Sequence, residues 1–374
     1  MKRLVLIGGG HSHVEVLRAF GRRADPNIEL ILVSPDRYTP YSGMLPGWIA
    51  GHYAFADCHI DLDRLARFAG ARFMLSRVVG VTYGKRELRL DDGGVIGYDA
   101  CSIDIGSTPP VNAIEGARTH AVPVKPVGAF IDALEATATE ARKGRSIRIA
   151  LIGAGAAGVE VLLAVQYRLQ HAAPAANISY SLVSASTSIL PGHPQRTREI
   201  FLRMLRERHI ALANDCMVRS IDGHIIRAAD GKVVEADFCI VATGAAAASW
   251  PTASGIATDP QGFIKIHETL QTESDPVLFA AGDIASIPKR PYPKSGVYAV
   301  RQGPILAANL CNILTNQPLA RYSPQREALA LISTGNRYAV ASRGPLTLAG
   351  RWVWAWKDHI DWRFMNKYNR VPVP

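Results

Sequence analysis

Residues 4–17 read LVLIGGGHSHVEVL, in which an apolar run of strand length meets a glycine turn and then a helix-forming segment. Gly8 allows the tight turn, and Gly10 lets the backbone approach a pyrophosphate group closely. The N-terminus of the following helix supplies free N–H groups and a partial positive charge. This pattern predicts a dinucleotide-binding turn, although His13 occupies the place of the usual third glycine.

The same plan occurs a second time along the chain. Residues 149–162 read IALIGAGAAGVEVL and match residues 4–17 at eight of fourteen positions. The second turn keeps all three glycines, Gly153, Gly155 and Gly158. Each copy is followed by an apolar strand that ends in glycine, at Gly106 and at Gly244. Two copies predict an α/β chain that holds two dinucleotides, one of them permanently.

The acidic residue that usually binds the adenosine ribose is absent after both second strands. Ser34 follows IELILV, and Ser184 follows ISYSLV. A serine hydroxyl also hydrogen-bonds a ribose, although more weakly than a carboxylate does. At the second turn, the missing carboxylate removes repulsion against a 2′-phosphate, and Arg196 and Arg198 follow soon after. Both NADH and NADPH therefore stay open as donors.

The composition is that of a globular chain of two to three domains. The sequence has 374 residues, 48% of them hydrophobic and 20% charged, which excludes collagen-like, low-complexity and disordered classes. Five cysteines without a C-x-x-C pair argue against a disulfide scaffold and a zinc ribbon. His11 and His13 have no Cys/His cluster beside them, so we expect no metal. A reducing, cytoplasmic compartment fits this cysteine usage.

The net charge of +10 is concentrated toward the C-terminus, and it fits phosphate-bearing cofactors, nucleic acid or anionic lipid. The stretch RWVWAWKDHIDWRFMNKY at 351–368 holds four of the six tryptophans among cationic residues. Tryptophan with lysine and arginine suits a membrane–water interface. The alternative is a helix that packs its tryptophans against the protein or a second subunit. We expect no nucleic-acid binding, because no recognised base-stacking platform accompanies the charge.

In combination, these motifs resemble the two-dinucleotide flavoproteins of the pyridine nucleotide–disulfide oxidoreductase family. The likeness is greatest to type II NADH dehydrogenases and sulfide:quinone oxidoreductases. Three stretches also resemble the flavoprotein module fused to selenophosphate synthetase: GGGHSHVEVL (8–17), TPYSGMLPGWIAGHY (39–53) and AVRQGPILAANL (299–310).

The resemblance implies a glutathione-reductase-like fold of tandem Rossmann-like domains with a short C-terminal segment. The implied division is an FAD-binding domain in two parts, 1–112 and 259–320, around an NAD(P)-binding domain at 113–258. The segment 321–374 would then contact a membrane or a second copy in a homodimer.

The resemblance also implies the cofactor residues. The FAD would contact Gly8, Gly10, His11, Ser34, Val78, Gly282 and Asp283, and the cofactor-binding residues Gly106 and Gly244 match the glycines that end the family's A-T-G strands. The NAD(P)H would contact Gly153, Gly155 and Gly158, with Glu160 near the place where nicotinamide stacks over the flavin. The family's A-T-G strand end is kept at Ala242-Thr243-Gly244, but the first copy reads Asp104-Ile105-Gly106.

The implied activity is hydride transfer from NAD(P)H to FAD, with electrons passing on to a small acceptor such as a quinone. Gln302 aligns with the last glutamine of the quinone-side A-Q-x-A-x-Q motif, whose first glutamine is Tyr298 here, and Lys294 lies close by in sequence. We therefore take Glu160, Lys294 and Gln302 as the candidate catalytic residues. The expected location is the cytoplasm, with peripheral contact at the inner face of the membrane if the C-terminal segment binds lipid.

Two other functions stay open. The selenophosphate likeness suggests an oxidoreductase for a sulfur or selenium species, although the family's paired redox cysteines are missing and Cys58 is the one thiol beside a polar segment. The two serine replacements also leave open a non-catalytic, redox-responsive dinucleotide-binding protein.

Overall fold

The computed structural model describes residues 1–108, 110–125 and 127–372. The helices are α1 (His11–Arg22), α2 (Leu45–Ile49), α3 (Phe55–Cys58), α4 (Leu62–Phe68), α5 (Ala117–His120), α6 (Val127–Arg142), α7 (Ala156–Ala172), α8 (Gln195–Glu207), α9 (Trp250–Ala253), α10 (Gly296–Leu314) and α11 (Arg351–Asn369). The strands are β1 (Lys2–Ile7), β2 (Ile28–Ser34), β3 (Tyr38–Pro40), β4 (His59–Asp61), β5 (Arg72–Leu75), β6 (Val78–Thr82), β7 (Glu87–Leu90), β8 (Val95–Gly97), β9 (Ala100–Ile103), β10 (Val122–Pro123), β11 (Ile147–Ile152), β12 (Ile178–Val183), β13 (Ile210–Ala213), β14 (Val218–Asp222), β15 (Ile225–Ala228), β16 (Val233–Glu235), β17 (Phe238–Val241), β18 (Ile264–Lys265), β19 (Leu278–Ala280), β20 (Ala285–Ser286), β21 (Ala330–Thr334), β22 (Asn336–Arg343) and β23 (Leu346–Gly350).

Two parallel five-stranded sheets form the centre of the molecule. Their strand orders are β19-β9-β1-β2-β5 and β10-β17-β11-β12-β13, so the two repeats place equivalent strands in equivalent positions. The central strands are apolar runs because helices cover both faces of a parallel sheet. These sheets confirm the predicted α/β class with tandem Rossmann-like domains. The domain limits given above stay predictions, and the last two residues of the C-terminal segment lie outside the described residues.

Smaller sheets complete each half. An antiparallel sheet β6-β7-β8 follows the first copy, and β14-β15-β16 follows the second at the equivalent place. Strand β19 comes late in the chain but pairs with β9, so the chain returns to the first sheet after it has built the second.

The missing third glycine has a structural replacement. In the second copy, a Cβ on Gly158 would lie 1.8 Å from the carbonyl oxygen of Gly153, so no side chain fits there. In the first copy, the ring of His13 lies at that place, with Nδ1 2.7 Å from the carbonyl oxygen of Gly8 and Nε2 2.8 Å from Ser102 Oγ. The imidazole is buried beside the strands, so it does not block the approach to the turn.

The C-terminal segment packs into both halves. Ile332 and Val340, from β21 and β22, belong to the core around the second sheet. Met365 and Tyr368, from α11, belong to the core around the first sheet. This segment is therefore a structural link between the halves. Across the described residues, every helix is too short or too polar to cross a bilayer.

We predict that Gly158→Ala destabilises the second half, because its methyl group would overlap the Gly153 carbonyl. The expected loss is about 1–3 kcal/mol of unfolding free energy, the usual cost of overpacking. Gly128→Ala is the matched control, since a Cβ there meets nothing within 4 Å. Urea unfolding should show Gly128→Ala unchanged or slightly more stable; equal stability of both variants would contradict the steric account.

Candidate active site at the junction of the two sheets

The first glycine turn carries an acid that the sequence patterns did not single out. Gly8 has a φ of +89°, and Gly10 precedes the first residue of α1. Asp104 Oδ2 accepts hydrogen bonds from the N–H groups of Ser12, at 2.8 Å, and of His13, at 3.1 Å. The departure from the A-T-G pattern at Asp104 was visible in sequence, but its contact with α1 was not.

His11, the first residue of α1, lies among groups from three other parts of the chain. Its ring packs edge-on against Tyr41 and Phe364, with centroids 5.6 and 5.9 Å away. Burial lowers the pKa of His11 to about 4, and the nearby Lys125 lowers it further while Asp283 opposes this. Its Nε2 atom has no hydrogen-bond partner among the described residues, so a neutral ring nitrogen remains free for a ligand.

The turn after β19 brings the remaining predicted FAD-side groups together. Asp283 accepts a hydrogen bond from Ser107 Oγ at 3.1 Å. Gln302 is fully buried: its Oε1 accepts from the N–H of Gly282 at 2.6 Å, and its Nε2 donates to the hydroxyl of Tyr292 at 2.8 Å. These hydrogen bonds fix the Gly282 N–H and the Tyr292 hydroxyl, and the contact of Gln302 with an acceptor stays a prediction.

Lys294 lies beside the same turn. Its Nζ donates to the carbonyl oxygen of Ala285 at 2.5 Å and lies 3.9 Å from the ring centroid of Phe263. Burial lowers the pKa of Lys294 to about 8, against the opposing charges of Asp259 and Asp283.

The predicted adenosine-side residues lie along the carboxyl edge of the first sheet. Ser34 ends β2, where its hydroxyl donates to the carbonyl oxygen of Asp36 at 2.9 Å. Val78 begins β6 and is buried. Gly106 has a φ of +69°, and a Cβ there would meet nothing within 4 Å, so space remains above the strand end.

The second turn is open. A Cβ on Gly155 would meet nothing within 4 Å, and Thr243 Oγ1 beside Gly244 is buried with no partner among the described residues. After β12, Arg198 donates to Ser188 Oγ at 3.3 Å, while its Nε is buried without a described partner. A guanidinium here suits an anionic group on the adenosine ribose.

A group of polar side chains lies between the two turns. Ser333 donates its N–H to Glu160 Oε1 at 2.6 Å, and burial raises the pKa of Glu160 while the ammonium of Lys357 opposes that rise. Lys357 Nζ lies 2.5 Å from Asp361 Oδ2, and Asp361 hydrogen-bonds Tyr41, whose ring contacts His11. We call Glu160, Lys357, Asp361, Tyr41 and His11 the polar bridge.

Glu15 occupies the place of Glu160 in the first copy but has a different role. It pairs with Arg18 at 2.7 Å and with Lys367 at 2.6 Å, and it accepts from the hydroxyl of Tyr368 at 2.8 Å. Glu15 therefore fixes the end of α11 on α1, whereas Glu160 lies at the polar bridge.

The cysteines do not form a reactive centre. All five are free thiols, and burial raises the pKa of Cys58 to about 12, which disfavours its thiolate. Burial also raises the pKa values of Cys101 and Cys239. Among the described residues, no group of three or more His, Cys, Asp or Glu side chains is arranged to hold a metal ion.

The sequence profile of the pyridine nucleotide-disulphide oxidoreductase family matches residues 2–303. The chain belongs to this family. Membership confirms the predicted family, the oxidoreductase class, and FAD with NAD(P)H as the cofactors. The predicted likeness to the selenophosphate-linked module is not shown by these matches.

Particular relatives agree with the family. The chain is 23% identical to alternative NAD(P)H-ubiquinone oxidoreductase C1 of Arabidopsis thaliana, over 91% of this chain and 72% of that protein. The solved sulfide:quinone oxidoreductase of Aquifex aeolicus superposes with a TM-score of 0.82 at 18% identity, covering 99% and 92% of the two chains. The structure of NDH2 from Plasmodium falciparum in complex with NADH superposes with a TM-score of 0.80 at 16% identity, covering 100% of this chain and 99% of that chain. The two structural likenesses show the fold.

The two turns fit the family's two dinucleotides. The unpartnered Nε2 of His11 and the carboxylate of Asp283 flank the first turn, where FAD would be held. The open space at Gly155 and the Thr243 hydroxyl, which has no described partner, leave room and a hydrogen-bonding group for a dinucleotide at the second turn.

We predict that Lys357→Met destabilises the protein by about 3–5 kcal/mol, because it leaves the buried Asp361 carboxylate without its counter-ion. Lys357 is 7% and Asp361 4% exposed, so solvent cannot replace the lost partner. The double variant Lys357→Met/Asp361→Leu should recover most of that loss in denaturant unfolding. A double variant that is less stable than the single one would contradict this account.

Proposed function

We propose that the protein oxidises NAD(P)H through bound FAD and reduces a quinone-like acceptor. When bound, FAD accepts a hydride from the donor and passes the electrons on singly or in pairs. The observation that carries the proposal is the polar bridge, which runs from the helix of the open turn to the helix of the first turn. It lies where the nicotinamide and flavin ends of two such dinucleotides would meet.

The polar bridge has the groups that such a reaction needs. Reduction of a quinone by NAD(P)H consumes one proton besides the hydride, so a proton has to reach the acceptor. Burial raises the pKa of Glu160, which favours its protonated form and suits it to donate a proton. Lys357, Asp361 and Tyr41 extend this route with hydrogen-bonding groups that are largely shielded from solvent.

The remaining candidate residues position these groups. Gln302 holds the Gly282 N–H beside Asp283, and we propose that Asp283 and His11 hydrogen-bond the FAD. Lys294, with its pKa lowered to about 8, would place an ammonium at neutral pH, or an amine at higher pH, near the same turn.

We further propose that α11 places the site at a membrane surface, where a lipid-soluble quinone is available. Its buried face carries Lys357 and Asp361, while Trp352, Trp356 and Ile360, four residues apart, form an exposed stripe. The exposed arginines Arg351 and Arg363 complement anionic lipid at the cytoplasmic face.

We predict that Glu160→Gln slows anaerobic flavin bleaching by NADH or NADPH about 10- to 100-fold without loss of bound FAD. In the wild type, quinone-dependent reoxidation should fall as pH rises through the raised pKa of Glu160, because the protonated acid is lost. The variant should lack this pH dependence, as stopped-flow absorbance would show.

Glu15→Gln is the matched control for this experiment. It removes the equivalent carboxylate of the first copy, so we expect a lower thermal midpoint but an unchanged bleaching rate. Equal rates for wild type and Glu160→Gln at every pH would exclude Glu160 from the site. Flavin that stays oxidised with both donors would overturn the proposed function itself.

We predict that Trp352→Ser/Trp356→Ser weakens sedimentation with phosphatidylserine-containing vesicles roughly tenfold or more, because two interfacial side chains are lost. Met217→Ser/Val233→Ser is the control, since it removes two comparably exposed apolar residues, one just before β14 and one in β16. The proposal would be contradicted if the wild-type protein did not bind vesicles but eluted as a dimer, and the tryptophan variant eluted as a monomer. The stripe would then be the contact surface for a second copy of the chain.

A further inference from the structure

Asp104 supplies a helix cap from a distant part of the sequence. It follows β9, and its carboxylate lies at the N-terminus of α1, where it accepts from the N–H groups of Ser12 and His13. The N-cap residue of α1 is Gly10, which has no side chain for this purpose. The carboxylate of Asp104, which is 2% exposed, therefore satisfies two N–H groups that would otherwise remain free.

Two neighbouring glycines leave room for the Asp104 side chain, and a third leaves room for its backbone. A Cβ on Gly10 would lie 2.2 Å from the Asp104 carboxyl group, and one on Gly282 would lie 2.3 Å from Oδ1. A Cβ on Gly8 would lie 2.5 Å from the Asp104 carbonyl oxygen. Glycines from two separate motifs thus converge on this one residue.

The second copy has no such acid. Cys101 pairs with Val5 in the first sheet and Cys239 with Ala150 in the second, so Ala242 is the counterpart of Asp104. A Cβ on Gly155 meets nothing within 4 Å, so that helix end is open to a ligand. The N-terminus of α1 therefore contacts a carboxylate of the protein itself, whereas the N-terminus of α7 does not among the described residues. We call the Asp104 carboxylate the resident anion.

This resident anion faces the place that a dinucleotide diphosphate requires. The diphosphate of a bound dinucleotide lies at the N-terminus of the helix after the glycine turn. Two anions would then share the positive end of one helix. Like charges in close, buried contact favour protonation of one of them.

The surrounding charges do not relieve this conflict. Burial, together with the Asp283 carboxylate, raises the pKa of Asp104 to about 7 against the opposing hydrogen bonds from Ser12 and His13. The neighbouring His11 and His13 are neutral at that pH, because burial lowers the pKa of each to about 4. The cations Lys125 and Lys294 face His11 and Asp283 respectively.

We propose that Asp104 is a positioning residue of the FAD site, which caps α1 as an anion in the empty protein and takes up one proton when FAD binds. The proton comes from solvent and goes to the carboxyl oxygen that does not accept the two N–H groups. The inference rests on FAD binding at the first turn, as the proposed function requires. Asp104 then keeps the turn in its binding conformation without opposing the diphosphate.

The test is calorimetric titration of FAD into the flavin-free protein between pH 6 and 9, in pairs of buffers with different ionisation enthalpies. Because ionised Asp104 has to regain a proton, wild-type affinity should be constant below about pH 7 and fall up to tenfold per pH unit above it. About one proton should be taken up per FAD at pH 8. Asp104→Asn should bind FAD with a flat pH profile and without this proton.

Asp230→Asn, at an exposed acid of the second half, should behave as the wild type does. Wild-type binding without proton uptake would overturn the proposal, and so would an Asp104→Asn profile that follows the wild type. If Asp104→Asn does not fold, the number of protons that the wild-type protein takes up per FAD tests the proposal by itself. The calorimetric test does not depend on turnover. If the protein took up the proton on binding FAD but its flavin were not reduced by NAD(P)H, only the proposed function would be contradicted.

Discussion

The buried ion pair between Lys357 and Asp361, both in α11, is the interaction on which the placement of the candidate site depends, because Lys357 also binds the Gly43 carbonyl of the first half. Two buried charges are stable only when they are paired and hydrogen-bonded. The Gly43 carbonyl and the Tyr41 hydroxyl provide the additional hydrogen bonds. A shift of α11 by one residue would turn this pair away from Glu160. The site therefore depends on the register of a helix that lies beyond both dinucleotide-binding motifs.

The two copies of the strand–turn–helix unit differ in how closely protein side chains surround the glycine turn. In the first copy, His13 and Asp104 fill the space around the turn with protein groups, and Glu15 is used to anchor α11. In the second copy, the turn is open and Glu160 lies at the polar bridge. A closed, preorganised turn suits a cofactor that stays bound, and an open one suits a donor that has to leave.

Much of the fold could be predicted from sequence because it is encoded locally. The glycine turns, the buried strands and the repeat all depend on neighbouring residues, and the structure agrees with them. The roles of Glu15 and Glu160 could not be separated, because their motifs are identical and the contacts that distinguish them come from the C-terminal segment. The hydrogen bonds of Gln302 to Gly282 and Tyr292 could not be predicted either, because alignment gives a position but not its partners.

The central claim is that the two halves bring a nicotinamide donor face to face with the flavin. The most direct measurement is a single-turnover, anaerobic mixing of the FAD-loaded protein with NADH or NADPH that carries deuterium at the transferred position of C4. Direct hydride transfer predicts flavin bleaching that is slower with the deuterated donor than with the ordinary one. A flavin spectrum that stays oxidised with both donors would contradict the claim.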